Sequence, residues 1–363
     1  MHHRDIILGQ GSYGQVTTRD GKAVKKFKQL SHLIQESLAL QYLTPCNYIV
    51  HAKDIDFSEL ELHMELFDCN LRHWIEENRD TSSYKKNINI LVRDIIKGLV
   101  ELHERGLTHG DLKPGNILIR KNSLKAVLGD CGFVSVSKYA KVNRTAAMYR
   151  DPVITHDTSH DMYSLGICLL EMLGNIRITR QGTYAELKEI IHNNVADPEY
   201  RKIIYNLVHE NKDSRPSAKS LLYRMYQETP NSWSLPGLIG TESSSSGKES
   251  RIILSIEEED KKYIQYLMHE LCNRYHIRRG KKGYGALVVY VDTHKIASSY
   301  LTLYAGVTAL ILSSIFGATG FNENDIIKLV DNKWSTTHIY KVLKELFQDT
   351  NFITILLSPE RSH

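Results

Sequence analysis

The stretch Thr108-His109-Gly110-Asp111-Leu112-Lys113-Pro114-Gly115-Asn116-Ile117-Leu118-Ile119 constrains this chain more than any other. It sets a carboxylate (Asp111), a cation (Lys113) and a neutral amide (Asn116) on one turn, and the apolar run behind them reads as a strand. Passing a phosphoryl group to a hydroxyl calls for those three groups. The carboxylate orients the proton, the cation sits beside the transferred group, and the amide oxygen is a ligand for Mg²⁺. A polar turn ahead of a strand can carry the three by chance, so the surrounding sequence has to decide.

Gly9-Gln10-Gly11-Ser12-Tyr13-Gly14-Gln15-Val16 lets the backbone come close to an anion and offers amides rather than side chains to bind it. Similar glycines open dinucleotide folds, where a helix follows them. Here Thr17-Thr18-Arg19, an Asp20-Gly21 turn and Lys22-Ala23-Val24-Lys25 predict a hairpin instead. Period-two alternation from Ala23 selects Lys25 rather than Lys26 for the inner face. Leu33-Ile34-Gln35-Glu36-Ser37-Leu38-Ala39-Leu40 has helical apolar spacing, with Ser31 as the expected N-cap and Glu36 among buried neighbours.

In this order the motifs resemble those of eukaryotic protein kinases. The resemblance continues through Leu128-Gly129-Asp130-Cys131-Gly132-Phe133, Met148-Tyr149-Arg150-Asp151-Pro152-Val153, Asp161-Met162-Tyr163-Ser164-Leu165-Gly166 and Asp213-Ser214-Arg215-Pro216. It implies an α+β two-lobed protein kinase fold over residues 1–227, with an N-lobe to about 66, and an enzyme that uses ATP and Mg²⁺. Carried over residue by residue, it assigns the catalytic roles to Asp111, Lys113, Lys25 and Glu36, and the metal to Asn116 and Asp130. The nucleotide falls to Leu8, Gly9, Gly11, Ser12, Tyr13, Gly14, Val16, Ala23 and Lys25, to backbone groups of Glu65 and Phe67, and to Leu118 beneath the ring. Met64 stands at the gatekeeper position, Asp161 where the family braces the catalytic loop, and Lys113 favours a serine or threonine acceptor. The helix around Glu36 resembles that of cyclin-dependent kinases, and Ser12 and Tyr13 stand where those enzymes take inhibitory phosphates.

The departures from the pattern are informative. Cys131 replaces the usual phenylalanine. Val153 replaces a glutamate that normally pairs with the arginine at Arg215, which therefore has to be re-paired or exposed. Gly110 replaces an arginine that grips an activation-segment phosphate, and the acceptors there include Ser135, Ser137, Tyr139 and Thr145. Activity is therefore expected without phosphorylation of that segment.

Residues 228–250 are rich in Pro, Gly and Ser and read as a flexible linker. Residues 251–363 then carry five helical patterns, centred on 263–275, 284–296, 300–316, 325–330 and 336–347, with Asn322 and Ser335 as expected caps. With Tyr290-Val291-Asp292, Ser313-Ser314-Ile315-Phe316 and Trp334-Ser335, this region resembles an all-α five-helix cyclin box. Ile315 and Leu343 stand where cyclins place a lysine and a glutamate. An in-chain kinase–cyclin-box contact is expected, and the combination is similar to kinases of large DNA viruses. Leu301–Phe316 approaches membrane-span length, but its Ser and Thr interruptions favour a buried central helix, so no membrane is expected. The net charge of +4 is too small to argue for nucleic acid. Five scattered cysteines and an opening without an apolar core fit a reducing, intracellular setting. A protein substrate is implied; the readings left open are a docking module for other proteins and a pseudokinase scaffold.

Overall fold

The computed structural model describes residues 6–10, 14–133, 135–136, 147–152, 157–230, 256–316, 321–331 and 333–357. The chain begins with β1 (Ile7–Gln10), β2 (Gly14–Arg19), β3 (Lys22–Phe27), α1 (Leu30–Leu43), β4 (Ala52–Asp56) and β5 (Glu61–Glu65). Then come β6 (Cys69–Asn70), α2 (Leu71–Asn78), α3 (Tyr84–His103), β7 (Leu107–Thr108), β8 (Ile117–Arg120), β9 (Lys125–Leu128) and β10 (Ser135–Val136). Helices follow: α4 (Ser159–Gly174), α5 (Tyr184–Asn194), α6 (Pro198–Leu207) and α7 (Ala218–Tyr226). The last six are α8 (Glu258–Arg274), α9 (Gly280–His294), α10 (Leu301–Phe316), α11 (Glu323–Leu329), α12 (Thr336–Gln348) and α13 (Thr350–Leu357).

These elements form two compact units. One holds the chain up to Tyr42, the segment Ala52–Met64 and the C-terminal helices; the other holds Leu43–His51 and the chain from Glu65 through α7. The first contains an antiparallel five-stranded sheet in the order β1-β2-β3-β5-β4. Its β2–β3 hairpin turns on Asp20 (φ +51°) and Gly21 (φ +72°), the pair of left-handed residues that the Asp-Gly signal predicts. Across that hairpin Gly14 faces Phe27, and a Cβ on Gly14 would lie 2.0 Å from the Lys26 carbonyl oxygen, so only glycine fits. Helix α1 starts at Leu30, one residue before the expected cap, which places Ser31 inside its first turn.

The C-terminal part of this unit has six helices among the described residues, one more than the five expected. The addition is α13, set off from α12 by Asp349 alone. Asp349 Oδ1 accepts the Phe352 N–H (2.7 Å) and so starts α13, while Oδ2 bonds the His294 ring (2.7 Å) and ties it to α9. Asn322 caps α11 and Ser335 precedes α12, as their positions predict. Helix α10 with its preceding turn, Ser298–Phe316, is long and apolar enough to cross a membrane, yet most of it is buried, and α8, α9, α11 and α12 pack against it. Leu343 is enclosed in this core and Ile315 is half-buried. On α12 the Phe347 ring meets Phe57, in the β4–β5 turn, edge-on at 5.3 Å, and Lys344 lies 3.9 Å from Asp54.

In the second unit α4 is buried on every side and α3 runs beside it. A three-stranded sheet, β6-β8-β9, and the β7–β10 pair support the loops that carry the chemistry. Order continues past the expected start of the linker: Lys97 Nζ bonds Glu228 at 2.6 Å and Pro230 is buried. The rest of the linker lies outside the described residues.

Asp94, on α3, accepts the Ala126 N–H at 3.1 Å, and burial pushes its pKa up to about 6. A carboxyl whose folded pKa is raised favours the fold below its ordinary value near 4 and loses that contribution as pH rises through about 6. Asp94→Asn keeps the acceptor and removes the charge. It should stabilise the protein at pH 7 by up to about 3 kcal/mol and flatten the melting temperature between pH 4 and 6, read by thermal denaturation across that range.

Candidate active site

The functional residues fall into two groups, one on each unit. On the first, Lys25 sits mid-strand in β3 opposite Val16, with Ala23 and Val24 buried beside it. Its Nζ bonds Glu36 Oε2 on α1 at 2.7 Å, and both side chains are nearly enclosed. The Phe27 ring lies beneath the ammonium, 5.2 Å to its centroid. Lys26 points outward to Glu59 (3.3 Å) and Glu61 (3.6 Å), so the inner face is Lys25's, as the alternation predicts. Leu8 and Gly9 are exposed on β1, where Gly9 pairs with Val16. Gly11, Ser12 and Tyr13 lie outside the described residues.

On the second unit the loop between β7 and β8 is built around its backbone. Asp161, buried on α4, accepts the N–H of His109 (2.8 Å) and of Gly110 (2.9 Å) and bonds the His103 ring (2.9 Å). Burial works against its charge, but the bond from His103 and the imidazoles of His103, His109 and His160 hold its pKa down at about 2. Gly110 takes φ +77°, a conformation that costs glycine nothing. His109 is buried; Nδ1 accepts the Asp111 N–H (3.3 Å), so the proton lies on Nε2, which donates to the Gly129 carbonyl (3.0 Å).

That frame brings the predicted triad together. Asp111 Oδ2 accepts Lys113 Nζ at 2.6 Å and Asn116 Nδ2 at 2.9 Å. Asp111 Oδ1 is enclosed and has no partner among the described residues. A buried carboxylate oxygen left without a donor is costly, and it is the atom an incoming hydroxyl would satisfy. The Asn116 amide nitrogen also bonds the Asp111 carbonyl (2.8 Å), which leaves its oxygen for a cation. Asp130 follows β9 at φ +54°. Glu65 donates its N–H to the His51 carbonyl (3.2 Å), so of its backbone only the carbonyl remains for a ligand. The Glu65 side chain pairs with Arg120, over which the Phe67 ring lies at 4.9 Å. Leu118, on β8, is half-buried against Gly129, and Met64 is buried. On the second unit the Asn116 amide oxygen and Asp130 are donors of the kind that suits Mg²⁺, and on the first unit the Lys25 ammonium suits the phosphates of ATP.

Arg215 is re-paired, not exposed. Both members of a fully enclosed pair, Arg215 and Asp151, lie in the second unit, where the guanidinium bonds both carboxylate oxygens and the carbonyls of His209 (2.8 Å) and Ser159 (3.1 Å). The carboxylate lost at Val153 is thus supplied two residues earlier. The sequence held that signal, since an aspartate stands where the family has alanine. Arg72 was missed altogether: on α2 it bonds Glu171 (2.8 Å) and the Tyr149 hydroxyl (2.5 Å), tying the turn at Tyr149 to α4. Ser137, Tyr139, Thr145 and Val153 lie outside the described residues.

Comparison with known proteins agrees with this geometry. The protein kinase domain family matches residues 2–232. The chain is 27% identical over 252 residues to a membrane-associated tyrosine- and threonine-specific cdc2-inhibitory kinase, wee-1.1, of Caenorhabditis elegans, covering 60% of this chain and 52% of that protein. It is also 27% identical over 188 residues to cyclin-dependent kinase F-4 of Oryza sativa subsp. japonica, covering 46% and 40%, and 27% over 217 residues to cyclin-dependent kinase B2-1 of Arabidopsis thaliana, covering 51% and 68%. The chain thus spans about half the length of the first of these relatives and less of the second.

Removing one partner of an enclosed ion pair strands the other. Asp151→Ala should therefore cost about 3–5 kcal/mol, read as a lowered midpoint in urea unfolding followed by tryptophan fluorescence.

Proposed function

The chain belongs to the protein kinase family, and on that footing we propose that it transfers phosphate from ATP to serine or threonine hydroxyls of proteins. Its C-terminal helices act in this reading as an in-chain, cyclin-like regulatory domain. The observation that carries the catalytic part is the unpartnered Asp111 Oδ1 beside Lys113 and Asn116.

Asp111 Oδ1 takes the hydrogen bond of the acceptor hydroxyl and so aims its oxygen, while Lys113 offsets negative charge on the transferred group. Lys25, held in place by Glu36, binds the phosphates of ATP. Asn116 and Asp130 hold Mg²⁺, which when bound neutralises charge on the phosphate oxygens. Lys113 favours serine and threonine acceptors. The similarity to a tyrosine- and threonine-specific enzyme gives dual specificity a place as the second reading.

The regulatory part is supported by the packing of Phe347 on Phe57, and by a tether that raises the effective concentration of the two parts to about millimolar. Gly110 supports independence from activation-segment phosphate, because no guanidinium stands there to read it. Scattered cysteines and a net charge of +4 support a reducing compartment and a protein rather than nucleic-acid substrate.

Asp111→Asn should lower γ-phosphate transfer about 10²–10⁴-fold with nucleotide affinity unchanged, measured on serine-, threonine- and tyrosine-containing peptides. Transfer by the wild type to tyrosine alone would overturn the acceptor assignment. Phosphatase treatment should leave turnover intact, and a loss on treatment would remove the role given to Gly110.

A further inference from the structure

We propose that the C-terminal helices set the position of Lys25 through the β4–β5 turn, with the Phe27 ring as the transmitting group. The inference rests on the kinase reading and names where that activity is controlled.

Four contacts join end to end within the first unit. Phe347 on α12 meets Phe57 edge-on, rings 5.3 Å apart at 77°, and the two side chains are 2% and 3% exposed. Beyond Phe57 in the same turn, the Leu60 carbonyl accepts the Phe27 N–H at 2.8 Å. The Phe27 ring, 4% exposed, lies under Lys25 Nζ at 5.2 Å. Nζ then reaches Glu36 at 2.7 Å.

The turn is stiff enough to pass a displacement along. Asp56 Oδ1 accepts the Ser58 N–H (2.9 Å), the Ser58 hydroxyl (2.6 Å) and the Glu59 N–H (3.0 Å), which binds the turn into one body. Leu60 sits at φ +56°, where a branched side chain is strained, and such a conformation persists only when its surroundings enforce it. The Phe57–Phe347 contact belongs to those surroundings, and the outcome is a Leu60 carbonyl aimed at Phe27. An aromatic face beneath an ammonium favours its charge and fixes its place. Loss of the Phe347 ring lets the turn relax, slackens the backbone at Phe27 and loosens the lysine that holds the phosphates. Control then enters through the sheet, by a short covalent and hydrogen-bonded route, rather than by pressure on α1.

The test uses the full chain and reads two quantities: affinity for the fluorescent analogue mant-ATP with Mg²⁺, and kcat/KM for ATP with a generic protein acceptor. Phe347→Leu, Phe57→Leu and Phe27→Leu should each weaken mant-ATP binding and kcat/KM by about tenfold, while Phe347→Tyr, which keeps the ring, stays at the wild-type level. The double variant Phe27→Leu/Phe347→Leu should be no worse than its worse single parent, because both cut one route. If Phe347→Leu melts the helices in a thermal scan, Phe57→Leu, which leaves every helical residue in place, carries the same expectation. Wild-type affinity in Phe57→Leu, or losses that multiply in the double variant, would overturn the proposal. Mant-ATP binding needs no phosphoryl transfer, so a wild type that binds the analogue but phosphorylates nothing refutes the kinase reading while the coupling can still be measured.

Discussion

Asp161 is the group on which the catalytic loop depends. It is a carboxylate withdrawn from water, and such a charge is tolerated only when nearly all its hydrogen-bonding capacity is used. Here the donors are two consecutive backbone amides, His109 and Gly110, and one imidazole, His103. Their shared acceptor fixes the peptide planes just ahead of Asp111 to within hydrogen-bond tolerance. Everything chemical downstream inherits that precision: His109 receives the Asp111 N–H, Asp111 gathers Lys113 and Asn116, and Asn116 in turn takes the Gly129 N–H on its carbonyl. The site is thus a network of backbone and side-chain bonds radiating from one helix, with Asp111 Oδ1 left over at the end.

Much of this was legible in the sequence, because spacing alone decides which groups share a turn. Asp111, Lys113 and Asn116 come together as read, Lys25 rather than Lys26 faces inward, and Asp20-Gly21 makes the hairpin. What spacing cannot supply is the partner across a long loop. Arg215 was expected to be re-paired or exposed, but its new partner, Asp151, reaches it from a position the motif gives to alanine. Arg72 and Phe27 carry no motif and reveal their parts only once helix and strand are folded. The same limit hid α13, whose start depends on a single aspartate side chain closing the turn after α12.

The first unit joins parts that lie far apart along the chain. An N-terminal sheet and C-terminal helices share one compact body, and the apolar rings of Phe57 and Phe347 are removed from water together. Burial of two such side chains contributes about 1.5–3 kcal/mol each, far more than the exposed Lys344–Asp54 approach, whose worth is about 0–1 kcal/mol. The association of these helices with the sheet is accordingly a matter of hydrophobic packing, and its strength should respond little to salt.

The displaced ion pair of Arg215 and Asp151 also bears on the order in which the second unit is built. Its members are 64 residues apart, and neither can be buried charged before the other arrives. Closing a loop of that length costs about 4 kcal/mol in chain entropy by the logarithmic estimate, a cost met before any stabilisation from the pair returns. The pair thus ties the turn after Tyr149 to the segment before α7, two parts of the second unit that lie far apart along the chain. The carboxylate two places early is in that sense a cross-brace of the finished unit, whose loss would leave a guanidinium enclosed without its counter-charge.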